Sequence, residues 1–182
     1  KHRTFPTARD AVADYERSLG PRAAGWTYHN AQGEPVGLAV RWNLRNGDKT
    51  IRPVSRNGDG WRCAAMPEPR PLYGLPELAQ ARRVYVVEGE KTADALRSVG
   101  LTATTSAGGS KAADKADWTP LAGREAVLLA DNDPAGERYI ADVSRLLGKL
   151  TPVPTMKPVT LPDLPTKGDA ADFVAARRQA GA

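Results

Sequence analysis

The chain is poor in the residues that cross-link or metallate small domains. Among its 182 residues there is one cysteine, Cys63, and there are two histidines, His2 and His29. A single thiol forms no intramolecular disulfide, and with two histidines it makes no zinc cluster, so a disulfide scaffold and a zinc finger are both excluded within these residues. Long apolar runs are also missing. A stretch such as Ala126 to Ala130 is far shorter than the roughly 20 residues a membrane span needs, and no signal-peptide pattern opens the sequence. The expectation is a soluble, cytoplasmic protein with no membrane partner. The sequence opens at Lys1 rather than at methionine, which reads as a piece of a longer polypeptide. What is present is enough for a core: 41% of residues are hydrophobic, above the disordered range, over a length that suits one domain or one with a small subdomain.

The net charge of +5 is unevenly spread. Residues 1–80 hold 12 Lys/Arg against 8 Asp/Glu, giving +4, whereas residues 81–182 hold 14 against 13, giving +1. Arg41, Arg45, Lys49, Arg52, Arg56 and Arg62 face only Asp48 and Asp59 within residues 38–62. This stretch is either a polyanion-binding surface or the solvated face of a β-hairpin. Trp42 and Trp61 lie among these charges, where they either stack on single-stranded bases or serve as core residues.

Local signals divide the chain near residue 75. Thr7 and Gly20-Pro21 bracket a helix over residues 8–19. Alternating segments from Trp26 to Trp61, separated by Gln32-Gly33, Asn46-Gly47 and Asn57-Gly58, describe an antiparallel meander. The run from Met66 to Pro76 holds four prolines and reads as a linker passing over a surface. Beyond it the rhythm changes to strands near 84–87, 101–105, 126–130 and 157–161, alternating with helices over 91–99, 135–150 and 170–179. That alternation predicts a parallel sheet flanked by helices. Residues 1–75 thus form an N-terminal helix with a basic β-rich subdomain, and residues 76–182 an α/β domain.

Ligands collect at the carboxyl ends of parallel strands. The residues just past each strand are Glu88-Gly89-Glu90, then Ser106 to Lys111, then Asp131-Asn132-Asp133, and last Lys167-Gly168-Asp169 with Asp172. Residues i and i+2 on a strand extension point the same way, so Asp131 and Asp133 can face one cavity. Carboxylates gathered without histidine or cysteine suit a hard divalent cation, Mg²⁺ or Mn²⁺. Taken singly, Asp169 or Asp172 also suits a helix cap, and Glu88 a helix N-terminus. Gly89, Gly108, Gly109 and Gly136 leave room for a phosphate to approach backbone N–H groups.

The order Val84-Tyr-Val-Val-Glu-Gly-Glu-Lys-Thr-Ala-Asp-Ala-Leu, then Ala130-Asp-Asn-Asp-Pro-Ala-Gly-Glu-Arg, then Lys167-Gly-Asp-Ala-Ala-Asp-Phe resembles the Toprim domain of DnaG-type and phage or plasmid primases and primase-helicases, over about residues 72–178. The resemblance implies a Rossmann-like parallel sheet and a DNA-replication enzyme from a phage or mobile element. It implies two-metal synthesis of RNA primers from ribonucleoside triphosphates on a single-stranded DNA template, and a replicative helicase, fused or separate, as a partner. Glu88 matches the family's glutamate, Asp131 and Asp133 its paired metal-binding aspartates, and Asp169 the late acidic residue, with Asp172 close by. Lys91 and Lys111, with Gly108 and Gly109, are the expected phosphate contacts, and the basic segment from Arg41 to Arg62 the expected template contact. Thr92 departs from the pattern, standing where related primases often have an aspartate, with Glu90 and Asp94 as nearby acids. Three rival readings share these residues. A Toprim nuclease uses the same acidic cluster; a haloacid-dehalogenase phosphatase makes Asp131 a nucleophile but wants it on the first strand; an inert nucleic-acid-binding module is suggested by Thr92.

Overall fold

A computed structural model describes residues 3–181; Lys1, His2 and Ala182, at the ends of the two expected segments, lie outside the described residues. Helix α1 (Ala8–Leu19) begins where Thr7 Oγ1 accepts the Asp10 N–H at 3.1 Å and ends at Gly20, whose φ is 79°. Four antiparallel strands follow in meander order: β1 (Ala24–His29), β2 (Pro35–Asn43), β3 (Lys49–Asn57) and β4 (Gly60–Arg62). The three turns between them use Gly33, Gly47 and Gly58, all in the left-handed region that glycine adopts without strain.

Strand alternation then sorts the side chains. Leu38, Val40 and Trp42 on β2, with Val54 on β3, turn toward α1 and bury against Phe5, Ala11 and Val12. Trp42 is fully buried, its indole N–H donating to the Gly20 carbonyl at 2.8 Å, and Trp61 packs half-buried on the same cluster. Both tryptophans are therefore core residues, because their alternation places them on the face that α1 covers.

The segment from Met66 to Pro76 is irregular up to its last turn, as its prolines require, and runs over the surface only at Pro67 to Pro69. Met66, Arg70, Leu72 and Tyr73 are buried, and Arg70 exchanges backbone hydrogen bonds with the Lys115–Asp117 stretch. Leu72 and Tyr73 bring apolar surface inward, while prolines lack the N–H donors that would otherwise need partners there. The segment ends in a one-turn helix, α2 (Leu75–Leu78).

The second half alternates β5 (Arg83–Val86), α3 (Glu90–Arg97), β6 (Ala103–Thr104), β7 (Glu125–Leu129), α4 (Pro134–Leu147), β8 (Thr155–Val159) and α5 (Ala170–Gln179), with three short 3-10 turns between β6 and β7. The strands are all parallel, in the order β6-β5-β7-β8. The near-continuous apolar character of β5 and β7 follows from their central place, buried on both faces. Val84, Val86, Ala126 and Leu128 pack on Tyr139, Ile140, Val143 and Leu147 of α4. Val87, Val127 and Leu129 lie on the other face with Ala93 and Leu96 of α3 and Ala170 of α5, and that cluster continues into the meander through Tyr28 and Ala39 and into the following segment through Met66. The architecture is the expected α/β sheet preceded by an antiparallel β-rich subdomain. From β5 the chain winds to β6 on one side, then to β7 on the other, so the topological switch point lies between β5 and β7. Among the described residues, no helix is long and apolar enough to cross a membrane.

Candidate active site

Glu88 follows β5 and Asp131 follows β7, so these two acids flank the switch point. Asp133 caps α4: its Oδ1 accepts the N–H groups of Ala135 and Gly136, both at 2.8 Å. Asp169 caps α5 in the same way, accepting from Ala171 at 2.7 Å and Asp172 at 3.0 Å, while Asp172 Oδ2 accepts the Asp169 N–H at 3.0 Å. Capping thus accounts for one oxygen of each of these three aspartates. Between the paired aspartates, Asn132 ties two loops together. Its amide donates to the carbonyls of Leu164 and Pro165, both at 3.0 Å, and its backbone exchanges hydrogen bonds with Lys167 and Gly168. This clasp brings Asp169 to the edge that carries Asp131.

The acids sense one another. Asp131 is pushed up to about 7, first by burial and then by Glu88, Asp169, Asp133 and Asp172. Glu88 is raised by burial and by Asp133, against a lowering from Ser110, Lys49 and Arg138. Among the described residues, no three acidic, histidine or cysteine side chains are grouped closely enough to enclose an ion. The caps explain this in part, since they hold Asp133 and Asp169 toward their own helices. The donor chemistry nevertheless fits a hard divalent cation: the oxygens are carboxylate, and a positive ion among them would relieve the repulsion that raises Asp131.

Glu88, Asp131 and Asp169 open onto a cleft of about 410 Å³ between the two sheets, whereas Asp133, expected to face one cavity with Asp131, is turned to its cap on α4 and lies outside the cleft lining. One wall carries Glu88, Gly89, Lys91, Gly108, Gly109, Asp131 and Asp169; the other is the meander face opposite α1, with Trp26, Tyr28, Ala39, Arg41, Lys49 and Ile51. The six basic residues expected to act together do not share a face. Arg41 and Lys49 line the cleft, whereas Arg52 and Arg56 fall on the alternate positions of β3, the side of Val54 and α1. Arg45 lies in the turn between β2 and β3, and the half-buried Arg62 lies outside the cleft lining. Lys111 and Asp172 also lie outside the cleft lining, and Lys91 reaches Asp169 Oδ2 at 3.8 Å.

Of the acids near Thr92, Glu90 lines the same cleft and Asp94 does not, and both are held by aromatic donors. The Tyr28 hydroxyl donates to the buried Glu90 Oε1 at 2.7 Å; the Trp26 indole donates to Asp94 Oδ2 at 3.0 Å and the Tyr73 hydroxyl to its Oδ1 at 2.8 Å. These carboxylates dock the meander onto α3, and Thr92 itself is buried. Gly136 also serves structure. A Cβ there would lie 2.6 Å from the Asp131 carbonyl oxygen and 2.7 Å from its nitrogen, so glycine lets α4 start directly against the Asp131 backbone.

Arg70 is the residue the sequence conceals. It is 8% exposed and lines the cleft; Nη1 donates to the Ala107 carbonyl at 3.2 Å and Nε has no partner. A Cβ at Gly108 would come within 3.0 Å of Nη1. Arginine between two prolines in an apparent linker gives no local signal of this placement. The glycine loop is held from behind by the fully buried Tyr139, whose hydroxyl accepts the Ser106 N–H at 3.1 Å.

No protein-family model and no curated protein matches the chain. Solved structures do. In the bacteriophage T7 complex of lagging-strand DNA polymerase with the primase domains of two gp4 subunits, bound to an RNA/DNA hybrid and dTTP, the match has a TM-score of 0.56 at 15% identity, over 86% of this chain and 74% of that one. The zinc-binding and RNA polymerase domains of Aquifex aeolicus primase match with a TM-score of 0.57 at 14% identity, over 95% of this chain and 47% of that one. The RNA polymerase domain of Mycobacterium tuberculosis primase DnaG, in complex with double-stranded DNA, matches at 0.52 and 18% identity, over 89% of this chain and 53% of that one. The chain spans about half the length of these two bacterial chains. With the acids at the switch point of a β6-β5-β7-β8 parallel sheet and an antiparallel meander facing them, the chain has the fold of the DnaG-type and T7 gp4-type primase domains.

Proposed function

We propose that the chain is the catalytic core of a primase that joins ribonucleotides on a single-stranded DNA template, within a phage or mobile-element primase or primase-helicase. The observation that carries this reading is the cleft in which Glu88, Asp131 and Asp169 face Lys49 and Arg41 across about 410 Å³. Residues 76–182 would supply the acids, and residues 1–75 the wall that receives the template.

In this reading Glu88, Asp131, Asp133 and Asp169, with Asp172 alongside, hold Mg²⁺ or Mn²⁺. Such a cation supplies charge neutralisation at the triphosphate and a lowered pKa at the attacking 3′-hydroxyl. Glu88, whose carboxyl is raised by burial and by Asp133, is suited to take the hydroxyl proton on a carboxylate oxygen. Arg70 lines the cleft beside the Gly108–Gly109 loop, where its guanidinium, with Nε buried and Nη2 3.4 Å from Glu68, adds positive charge for phosphate oxygens that approach the loop's backbone N–H groups. Arg41 and Lys49 contact template phosphates, an attraction that weakens as salt rises. The protein's share of the chemistry is positioning and charge. A replicative helicase, fused or separate, is the expected partner.

The test is to incubate the chain with single-stranded DNA, four ribonucleoside triphosphates and Mg²⁺ or Mn²⁺, with Asp131→Ala alongside. Short RNA products that disappear with Asp131→Ala are the expected result. Shortened DNA instead of new RNA assigns the acids to a nuclease, and DNA binding without turnover assigns the chain to an inert module.

A further inference from the structure

The parallel sheet carries a second cavity, on the face shared by α3 and α5 and lined from the strand starts at Arg83 and Glu125. It is a groove of about 540 Å³ whose floor is Tyr85, Val127 and Leu129 and whose sides include Val99, Val159 and Phe173. Cross-strand register explains the floor: Tyr85 pairs with Val127, Val127 with Lys157, and Leu129 with Val159, so these side chains share one face. Val99 and Val159, exposed by 45% and 42%, are two of the four large exposed hydrophobics among the described residues, and both line this groove.

The rim is basic. Arg83, Lys157, Arg177 and Arg178 surround it, with Glu125 as the one acid. Glu125 is already shared between Arg83 and Lys157, the latter at 3.2 Å, and its carboxyl is lowered by them. Arg177 lies over the Phe173 ring, 5.0 Å from its centroid. Four cations against one acid leave the rim at +3, in a half of the chain whose total is +1. Positive charge is therefore concentrated around an apolar trough, apart from the acidic edge.

We propose that this groove docks an acidic, amphipathic segment of a partner protein, with apolar side chains in the trough and carboxylates on Arg177, Arg178 and Lys157. Helix-in-groove recognition has this form, with anchors at i, i+3, i+4 and i+7. Charge complementarity selects the occupant. A second copy meeting this patch through a two-fold axis would set one +3 rim against another. A nucleic acid would satisfy the cations but leave the apolar floor without a matching surface. The proposal does not depend on the reaction at the acidic edge.

The experiment uses the 182-residue chain and three fluorescein-labelled helical peptides, read by anisotropy: one with Leu and Phe anchors among Glu residues, one with each Glu replaced by Lys, and one with each anchor replaced by Ser. The first binds and loses affinity as salt rises, while the other two bind at least about tenfold more weakly. Val159→Asp and Arg177→Glu each weaken the first peptide about tenfold, and Asp131→Ala leaves it unchanged. If Val159→Asp unfolds, Arg177→Glu alone decides. The proposal is overturned if the acidic peptide does not bind, if either control peptide binds equally well, or if Arg177→Glu leaves its affinity unchanged. It is equally overturned if sedimentation shows a dimer that Arg177→Glu alters, or if an oligonucleotide displaces the peptide. Loss of primer synthesis with peptide binding intact counts against the catalytic reading alone.

Discussion

Tyr28→Phe is the sharpest probe of how the two sheets are joined. The substitution removes one hydroxyl, which donates at 2.7 Å to Glu90, a carboxylate only 8% exposed, and otherwise keeps the ring and its packing in the shared core. A hydrogen bond to a charged group contributes about 1.5–3 kcal/mol, and a buried carboxylate left without its donor keeps its desolvation cost. Burial raises Glu90 and the Tyr28 hydrogen bond is the leading influence that lowers it, so without the hydroxyl the carboxyl protonates more readily. The loss is therefore larger at about pH 8, where the carboxylate must stay charged, and shrinks toward about 0.5–1.5 kcal/mol at acidic pH, as the carboxyl takes up a proton. For a chain of this size a loss of about 2 kcal/mol lowers Tm by roughly 4–8 °C. Urea unfolding followed by circular dichroism at both pH values gives the two losses, and a cycle with Glu90→Gln isolates the coupling. A loss under about 0.5 kcal/mol at the higher pH, or the same loss in the Glu90→Gln background, would refute the reasoning.

Two further outcomes follow from the acidic edge. Gly136→Ala places a methyl 2.6 Å from the Asp131 carbonyl oxygen, so α4 or the Asp131 backbone must move; the expected cost is about 1–3 kcal/mol in urea unfolding, with loss of divalent-ion binding. In EDTA, Asp131, raised to about 7 from an ordinary 3.8, holds a proton in the folded chain that the unfolded chain has released. Its contribution to stability is present below about pH 4 and is lost as pH rises through about 7, so Asp131→Asn gains in Tm relative to the parent between about pH 5 and about pH 8. A Tm difference that does not grow with pH contradicts that assignment.

Much of this fold can be read locally because its signals are local. Thr7 caps α1, Asp133 and Asp169 cap α4 and α5, and glycines with positive φ close the meander turns. Two acids of the cleft were legible for the same reason: Glu88 and Asp131 sit just past strands in a sheet whose parallel order follows from strand and helix alternation, while Asp169 lies well beyond β8, at the cap of α5. What was hidden depends on register and packing. The basic stretch looks like one surface until the pairing of Arg41 with Ile51 and Val40 with Arg52 sends Arg41 and Lys49 to one face and Arg52 to the other. Gly136 looks like room for a phosphate but makes room for a backbone. Glu90 and Asp94 look like spare metal ligands, yet they are the acceptors for Tyr28, Trp26 and Tyr73, aromatic side chains distant in sequence. Arg70 is concealed most fully, because no local pattern reports that a proline-flanked arginine is buried behind a glycine loop.

Whether the carboxylates of the acidic edge bind a divalent cation decides most directly what this site does. Titrating the chain with Mn²⁺ at about pH 8 and following free Mn²⁺ by electron paramagnetic resonance measures this without requiring turnover. Saturable binding by the parent chain that is lost in Asp131→Ala and in Asp133→Ala, but kept in Asp94→Asn, is the predicted result. No saturable binding by the parent chain, or equal binding in Asp131→Ala, would contradict it.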